Sequence, residues 1–198
     1  MDWVAVGLSR DLRDGMAMPG KINNVDLAIW RSTTGDVHAW GDRCPHRGMR
    51  LSHGFVRGET LSCIYHGWQY GEDGGCTSIP AHPNLTPPKT ICAKTYACQQ
   101  SDGLIWVALD DVATSPPSVR ANTPVRSLPV SAPLRDIAAH FGDSEADVIK
   151  VGPSQETTLV LQPTDAKHCI VHALSDGDPK TVSRWLETQR AIIEKVAA

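Results

Sequence analysis

The sequence predicts a mainly β fold: an antiparallel sheet domain in the first half, then a small α+β segment that closes with a helix. Three observations predict it. VDLAIWR (25–31) and DVHAW (36–40) place β-branched and aromatic residues around the turn Thr34-Gly35-Asp36, as a hairpin requires. Further β-type runs recur at 91–98, 103–109, 148–151, 157–162 and 169–174. A helical period emerges at the end of the chain, where Val182, Trp185, Leu186, Gln189, Ile192, Ile193 and Val196 share one face behind Asp178 as cap and Pro179 in the first turn.

Taken in order, Trp3 to Val6 is a short apolar strand, and the polar SRDLRDG closes it. In the hairpin that follows, Val25, Leu27 and Ile29 alternate with polar or small neighbours, the period of a half-buried strand. The hairpin delivers the chain to Cys44. Beyond His66, Trp68 and Tyr70 are expected to pack beneath the neighbouring loops. EDGGC forms a turn, and AHPNLTPPK (81–89) crosses the surface. Two strands then return the chain to the sheet. The domain organisation read from this is 1–111 as the sheet domain, 112–133 as a Pro-rich linker, and 134–198 as the α+β segment.

The chemistry lies in CPHRGMRLSHGFVRGETLSCIYH (44–66). Cys44 and His46 are one residue apart, Cys63 and His66 two apart, and sixteen residues separate the pairs. Pro45, Gly48, Gly54, Gly58 and Gly67 supply turn chemistry around them. Two thiolates and two imidazoles on paired loops are the ligand set of a [2Fe–2S] centre in which cysteines hold one iron and histidines the other. Tetrahedral zinc is the competing reading, although such zinc sites pair Cys with Cys and His with His. Two unrelated Cys/His pairs are the bland one.

CPHRG (44–48), LSHGFVRGETLSC (51–63), YHGWQY (65–70), Gly75, Ile79-Pro80 and GLIWV (103–107) closely resemble the Rieske domain of Rieske-type non-haem iron oxygenases. The resemblance runs from Trp3 to about Asp111. It implies a Rieske-type antiparallel sheet with cluster-binding loops, a [2Fe–2S] cluster on Cys44, His46, Cys63 and His66, and Met49, Tyr65 and Trp68 around it. Met49 and Tyr65 occupy the positions where respiratory Rieske proteins carry a loop-clamping disulfide, so the likeness is to the oxygenase type. It further implies a reductase or ferredoxin as electron donor and an oxygenase catalytic subunit as acceptor. The family's catalytic domain binds a mononuclear iron through two histidines and a carboxylate. The second half offers His140, His168 and His172, and HCIVHAL (168–174) alternates like a strand, on which residues four apart stand about 13 Å from each other.

A formal net charge of −3 and the lack of a basic run argue against a nucleic-acid partner. No apolar stretch is long enough to span a bilayer. MDWVAVGLSRDL has neither a basic leader nor a small-residue cleavage site, and Cys76, Cys92, Cys98 and Cys169 show no framework spacing, which predicts a cytoplasmic protein with reduced thiols. His38, His53 and His82 are expected to be packed or solvated rather than ligating. The apolar closing helix requires a surface, either the preceding strands or a partner in an oligomer. The expected function is one-electron transfer as a component of an oxygenase system. The alternatives are a minimal oxygenase with its own iron, and a non-catalytic subunit donating electrons in trans.

Overall fold

The computed structural model describes residues 3–111, 113–119, 123–143, 147–151 and 156–197. Fourteen strands and two α-helices follow one another among them. A six-stranded antiparallel sheet has the order β1-β10-β9-β4-β3-β2, built from β1 (Val4–Leu8), β2 (Ala17–Ile22), β3 (Val25–Arg31), β4 (Val37–Gly41), β9 (Thr95–Ser101) and β10 (Leu104–Ala108). Between β4 and β9 lies a small sheet of short strands, β5 (Phe55–Arg57), β6 (Thr60–Ser62), β7 (Gln69–Tyr70) and β8 (Cys76–Ser78). The mainly β antiparallel architecture is the one the sequence predicts.

The second half forms its own sheet, β11-β14-β13-β12, from β11 (Pro124–Val130), β12 (Val148–Val151), β13 (Thr157–Pro163) and β14 (Cys169–Ser175). Helix α1 (Leu134–His140) and helix α2 (Pro179–Ala197) cover it. Strand β11 arises inside the proline-rich passage, part of which (112 and 120–122) lies outside the described residues. Pro124 and Pro129 fit there because β11 is an edge strand, where a missing amide costs no ladder bond. Helix α2 starts where its cap predicts: the Thr181 amide and hydroxyl donate to Asp178 Oδ2 at 2.8 and 2.6 Å. Val182, Leu186 and Ile193 are buried, and Trp185 packs on the same core with Leu128, Leu159 and Leu161. The buried stripe is narrower than the sequence period suggests, for Ile192 and Val196 stay 44% and 83% exposed. The preceding sheet covers the buried stripe of the helix.

The halves share a seam. Trp3, Ala5, Leu8, Leu104 and Trp106 form one apolar cluster with Val160 and Leu174. Asn23 and Asn24 turn the chain from β2 to β3 at φ +45° and +67°, the paired left-handed geometry that asparagine tolerates in a two-residue hairpin. Their amides are thereby aimed away from the sheet and donate to the carbonyls of Pro163 and Thr164 at 3.0 and 2.8 Å. Among the described residues no helix is long and apolar enough to cross a membrane.

Candidate metal centre

Two loops with the same closure present the four candidate ligands. In the first, the Gly48 amide donates to the Cys44 carbonyl at 2.8 Å and the Cys44 amide to the Met49 carbonyl at 2.8 Å. In the second, Gly67 donates to Cys63 and Cys63 to Trp68, each at 2.9 Å. Gly48 and Gly67 both sit at φ +69°, where a side chain would be strained. Local hydrogen bonds therefore set both loops. An ionic brace anchored on the buried Asp42 holds the segment between them: Asp42 accepts the Ser52 amide (2.7 Å), the Ser52 hydroxyl (2.8 Å) and Arg50 Nη1 (3.0 Å), while the partly exposed Arg50 reaches Asp26 through Nη2 at 3.0 Å. Gly54 completes the fit, because a Cβ there would stand 2.4 Å from the Ser62 carbonyl oxygen.

The loops sort their donors by depth. Cys44 and Cys63 are 3% and 2% exposed, whereas His46 is half-buried and His66 exposed. The two imidazole rings lie 4.7 Å apart. Burial pushes the Cys63 thiol up, partly offset by the backbone amides of Tyr65 and His66 that donate to its sulfur. A cation bound at that sulfur would relieve the cost of the buried thiolate. Burial, followed by the neighbouring His66 and Arg47, holds His46 below its ordinary value and favours the neutral imidazole that a metal needs.

Each residue expected around the loops has a definite place. Trp68 lies flat on His46, ring centres 4.1 Å apart and 5° from parallel. Tyr65 sets its ring 3.9 Å from His66 and remains 58% exposed. Met49 packs partly buried against the cluster that contains Trp30, Trp40 and Leu51. Tyr70, expected only to pack, does more: its hydroxyl lies 3.1 Å from Cys44 Sγ. Burial, then the bond to Cys44, raises the Tyr70 hydroxyl far above the ordinary phenol range, so it keeps its proton and can donate to a thiolate at Cys44.

The other histidines stay apart from this centre. His38 stacks on Trp30 with ring centres 4.2 Å apart, and His53 and His82 are exposed. In the second half, His140 bonds Gln189 at 2.8 Å, His168 bonds Asp165 at 2.8 Å, and His172 is buried between Ser127 and Gln162 at 2.8 and 3.0 Å. Among the described residues, no two of these three histidines meet with a carboxylate. Among the described residues, the one trio of candidate ligand atoms lying within 4.8 Å of each other is Asp36, Glu59 and Glu72. Each of the two loops supplies one Cys and one His, a pairing that suits a two-iron centre better than zinc. The six cysteines are free thiols, with Cys169 buried, Cys76 and Cys98 half-buried and Cys92 exposed.

Comparisons with known proteins agree with this geometry. The family model described as "Rieske [2Fe-2S] domain" matches residues 2–97. Oxidoreductase NdmD of Pseudomonas putida is 37% identical over 118 residues, covering 59% of this chain and 20% of that protein. The 4beta-methylsterol monooxygenase of Methylococcus capsulatus is 38% identical over 125 residues, covering 59% and 32%. The matched stretch thus makes up a fifth to a third of these relatives. Among solved structures, a Pseudomonas putida NdmA variant with theobromine superposes with a TM-score of 0.82 at 21% identity, over 97% of this chain and 80% of that one. Apo dicamba monooxygenase gives 0.79 at 19%, over 98% and 85%. At such identities the structural likeness shows the fold.

Proposed function

Residues 2–97 belong to the Rieske [2Fe–2S] domain family, and on that premise we propose that the chain is a one-electron carrier serving an oxygenase system. The carrying observation is the depth ordering, with two buried thiols beneath two surface imidazoles on matched loops. In this reading Cys44 and Cys63 hold the inner iron, and His46 and His66 hold the outer one. The bound cluster supplies a single-electron couple, tuned by ligand charge and by hydrogen bonds to sulfur. The chain does the rest. Trp68 screens one face of His46 from water, the Tyr65 and His66 amides donate to Cys63 sulfur, and Tyr70 donates to Cys44. The electron donor would be a reductase or ferredoxin and the acceptor an oxygenase catalytic subunit, as the resemblance to the oxygenase family implies.

Iron and acid-labile sulfide analysis of protein purified without oxygen tests this. Two irons and two sulfides per chain support the carrier. Three irons establish a minimal oxygenase instead, and stoichiometric zinc removes the redox function.

The Tyr70 bond has a separate readout. A hydroxyl donated to thiolate sulfur favours the reduced, more negative centre, so Tyr70→Phe should lower the midpoint potential. A differential of about 1 kcal/mol for such a bond corresponds to about 40 mV for one electron. Redox titration of the visible absorption measures it. An unchanged potential would mean that the hydroxyl does not engage the sulfur.

A further inference from the structure

We propose that Tyr70, Trp40, Trp30 and His38 form a relay that carries an oxidising equivalent away from the Cys44 sulfur to an anionic pocket at Asp36, Glu59 and Glu72, where a neutral phenol discharges it. The inference rests on the carrier reading and adds to it a second redox route, one that guards the thiolates holding the inner iron.

A run of contacts makes the relay continuous. The Tyr70 hydroxyl stands 3.1 Å from Cys44 Sγ. The Tyr70 ring meets Trp40 edge-on with centres 6.5 Å apart, Trp40 meets Trp30 edge-on at 5.0 Å, and Trp30 stacks on His38 at 4.2 Å. Strand pairing fixes the last contact, because Trp30 and His38 stand opposite each other on β3 and β4. Tyr70, Trp40 and Trp30 are at most 1% exposed, so water does not intercept a radical on them. Packing alone accounts for touching aromatic rings in a core. It does not account for Trp30 Nε1, which is buried without a hydrogen-bond partner among the described residues, a state that costs stability. An indole cation formed there has no acceptor for its N–H proton, so the hole stays mobile instead of settling as a neutral radical.

Charge at the outer end gives the relay its direction. Asp36, Glu59 and Glu72 hold carboxylate oxygens within 4.8 Å of one another, and His38 Nε2 lies 3.6 Å from Glu72. Anions beside His38 and Trp30 favour a positive hole at that end. An open pocket of about 720 Å³ gives access there, lined by Asp36, His38, Glu72, Cys98 and Gln100 and by none of the four cluster ligands. Arg31, also in the lining, is occupied by Leu12, Gly35 and Gln100. The pocket's negative charge admits a neutral reductant more readily than an anionic one. Hydrogen peroxide that gains one electron from the reduced carrier splits into hydroxide and a hydroxyl radical. The radical takes one electron from Tyr70 and becomes a second hydroxide, while the Tyr70 proton shifts to the sulfur it faces. Trp40 returns the electron, the proton shifts back, and Trp30 in turn reduces Trp40. The phenol reduces the Trp30 cation, leaves as a phenoxyl radical, and gives its proton to the carboxylates. Without the relay the same oxidant converts thiolate sulfur to its sulfenic and higher acids.

The test uses the cluster-loaded chain, reduced by one electron, freed of reductant and mixed with equimolar hydrogen peroxide, with and without p-methoxyphenol. Freeze-quenched paramagnetic resonance detects an indole radical, and the visible absorption measures how much of the cluster survives. The proposal expects an indole signal without the phenol, loss of that signal with it, and better cluster survival when the phenol is present. In Trp30→Phe the phenol should no longer protect, although the cluster lasts as long as in the natural chain when peroxide is left out. A merely structural tryptophan would instead weaken the cluster in both conditions. A Glu59→Gln, Glu72→Gln double variant, which keeps every ring, should slow the discharge of the indole radical by the phenol. Absence of an indole radical in the natural chain, equal phenol protection in Trp30→Phe, or an unchanged discharge rate in the double variant each overturn the relay. If Trp30→Phe does not load its cluster, the radical signal of the natural chain and the double variant decide. Failure of the carrier reading is distinguishable, for then no cluster absorption is seen before peroxide is added.

Discussion

Replacing Cys44 with serine should strip the chain of its iron. The position is 3% exposed and its sulfur faces the Tyr70 hydroxyl, so water cannot enter to take the vacated coordination place. A serine hydroxyl keeps its proton at neutral pH and is a hard, poorly matched donor for an iron–sulfur centre. The expected result is a fall from two irons per chain to essentially none, with loss of visible absorption and of the low-temperature paramagnetic signal after reduction. Cys63→Ser should behave alike, since the second loop repeats the hydrogen-bond closure of the first. The far-ultraviolet signature of strands should survive, because the sheets are held by their own apolar clusters. Persistence of the signals in either variant would overturn the ligand assignment.

Acid should loosen the fold through His172. Burial pushes this imidazole down from 6.5 to about 4, with only a backbone bond to Ala5 opposing it. Its neutral form is fixed by its neighbours. Gln162 Nε2 donates to the Lys21 carbonyl at 2.8 Å, which leaves Gln162 Oε1 to accept from His172 Nε2 at 3.0 Å. The Ser127 hydroxyl then donates to Nδ1 at 2.8 Å. The unfolded chain takes up a proton at pH near 6.5, whereas the folded chain resists until near 4. The stability attached to a neutral His172 is therefore whole above pH 6.5 and is lost as pH falls towards 4, by about 3 kcal/mol in total. Denaturant titrations at pH 7, 5.5 and 4.5 should show the natural chain losing that much more stability than a His172→Gln variant, which cannot take up the proton. Parallel curves for the two would refute the role.

How far the sequence could be read depends on how local each feature is. The two Cys/His loop turns, the β3–β4 hairpin and the Asp178 cap of α2 are written in residues a few positions apart, and the structure has these turns, the hairpin and the cap where the spacing puts them. Strands β2 and β11 were hidden by Pro19, Gly20, Pro124 and Pro129, which read as breakers but are tolerated at sheet edges. Strands β5 to β8 are two or three residues long, too short for a period to register. The Tyr70 hydroxyl meets a sulfur 26 residues away, and the partners of His172 come from β11, β13 and β1. Such meetings are set by the register of distant strands, to which no spacing rule applies. Asp42 had a faint signal, a carboxylate just before the first ligand, but its burial against Ser52 and Arg50 only folding reveals.

The tryptophan-lined join between the halves bears on what the second half does for the first. Severed near residue 111, the first half would present the flanks of Trp3 and Trp106 to water where Val160 and Leu174 now lie, and the Asn23-Asn24 bend would lose the acceptors for two amides. The trailing segment is therefore a buttress whatever chemistry it performs: it keeps an adhesive indole surface out of solution and tethers the outer hairpin of the six-stranded sheet.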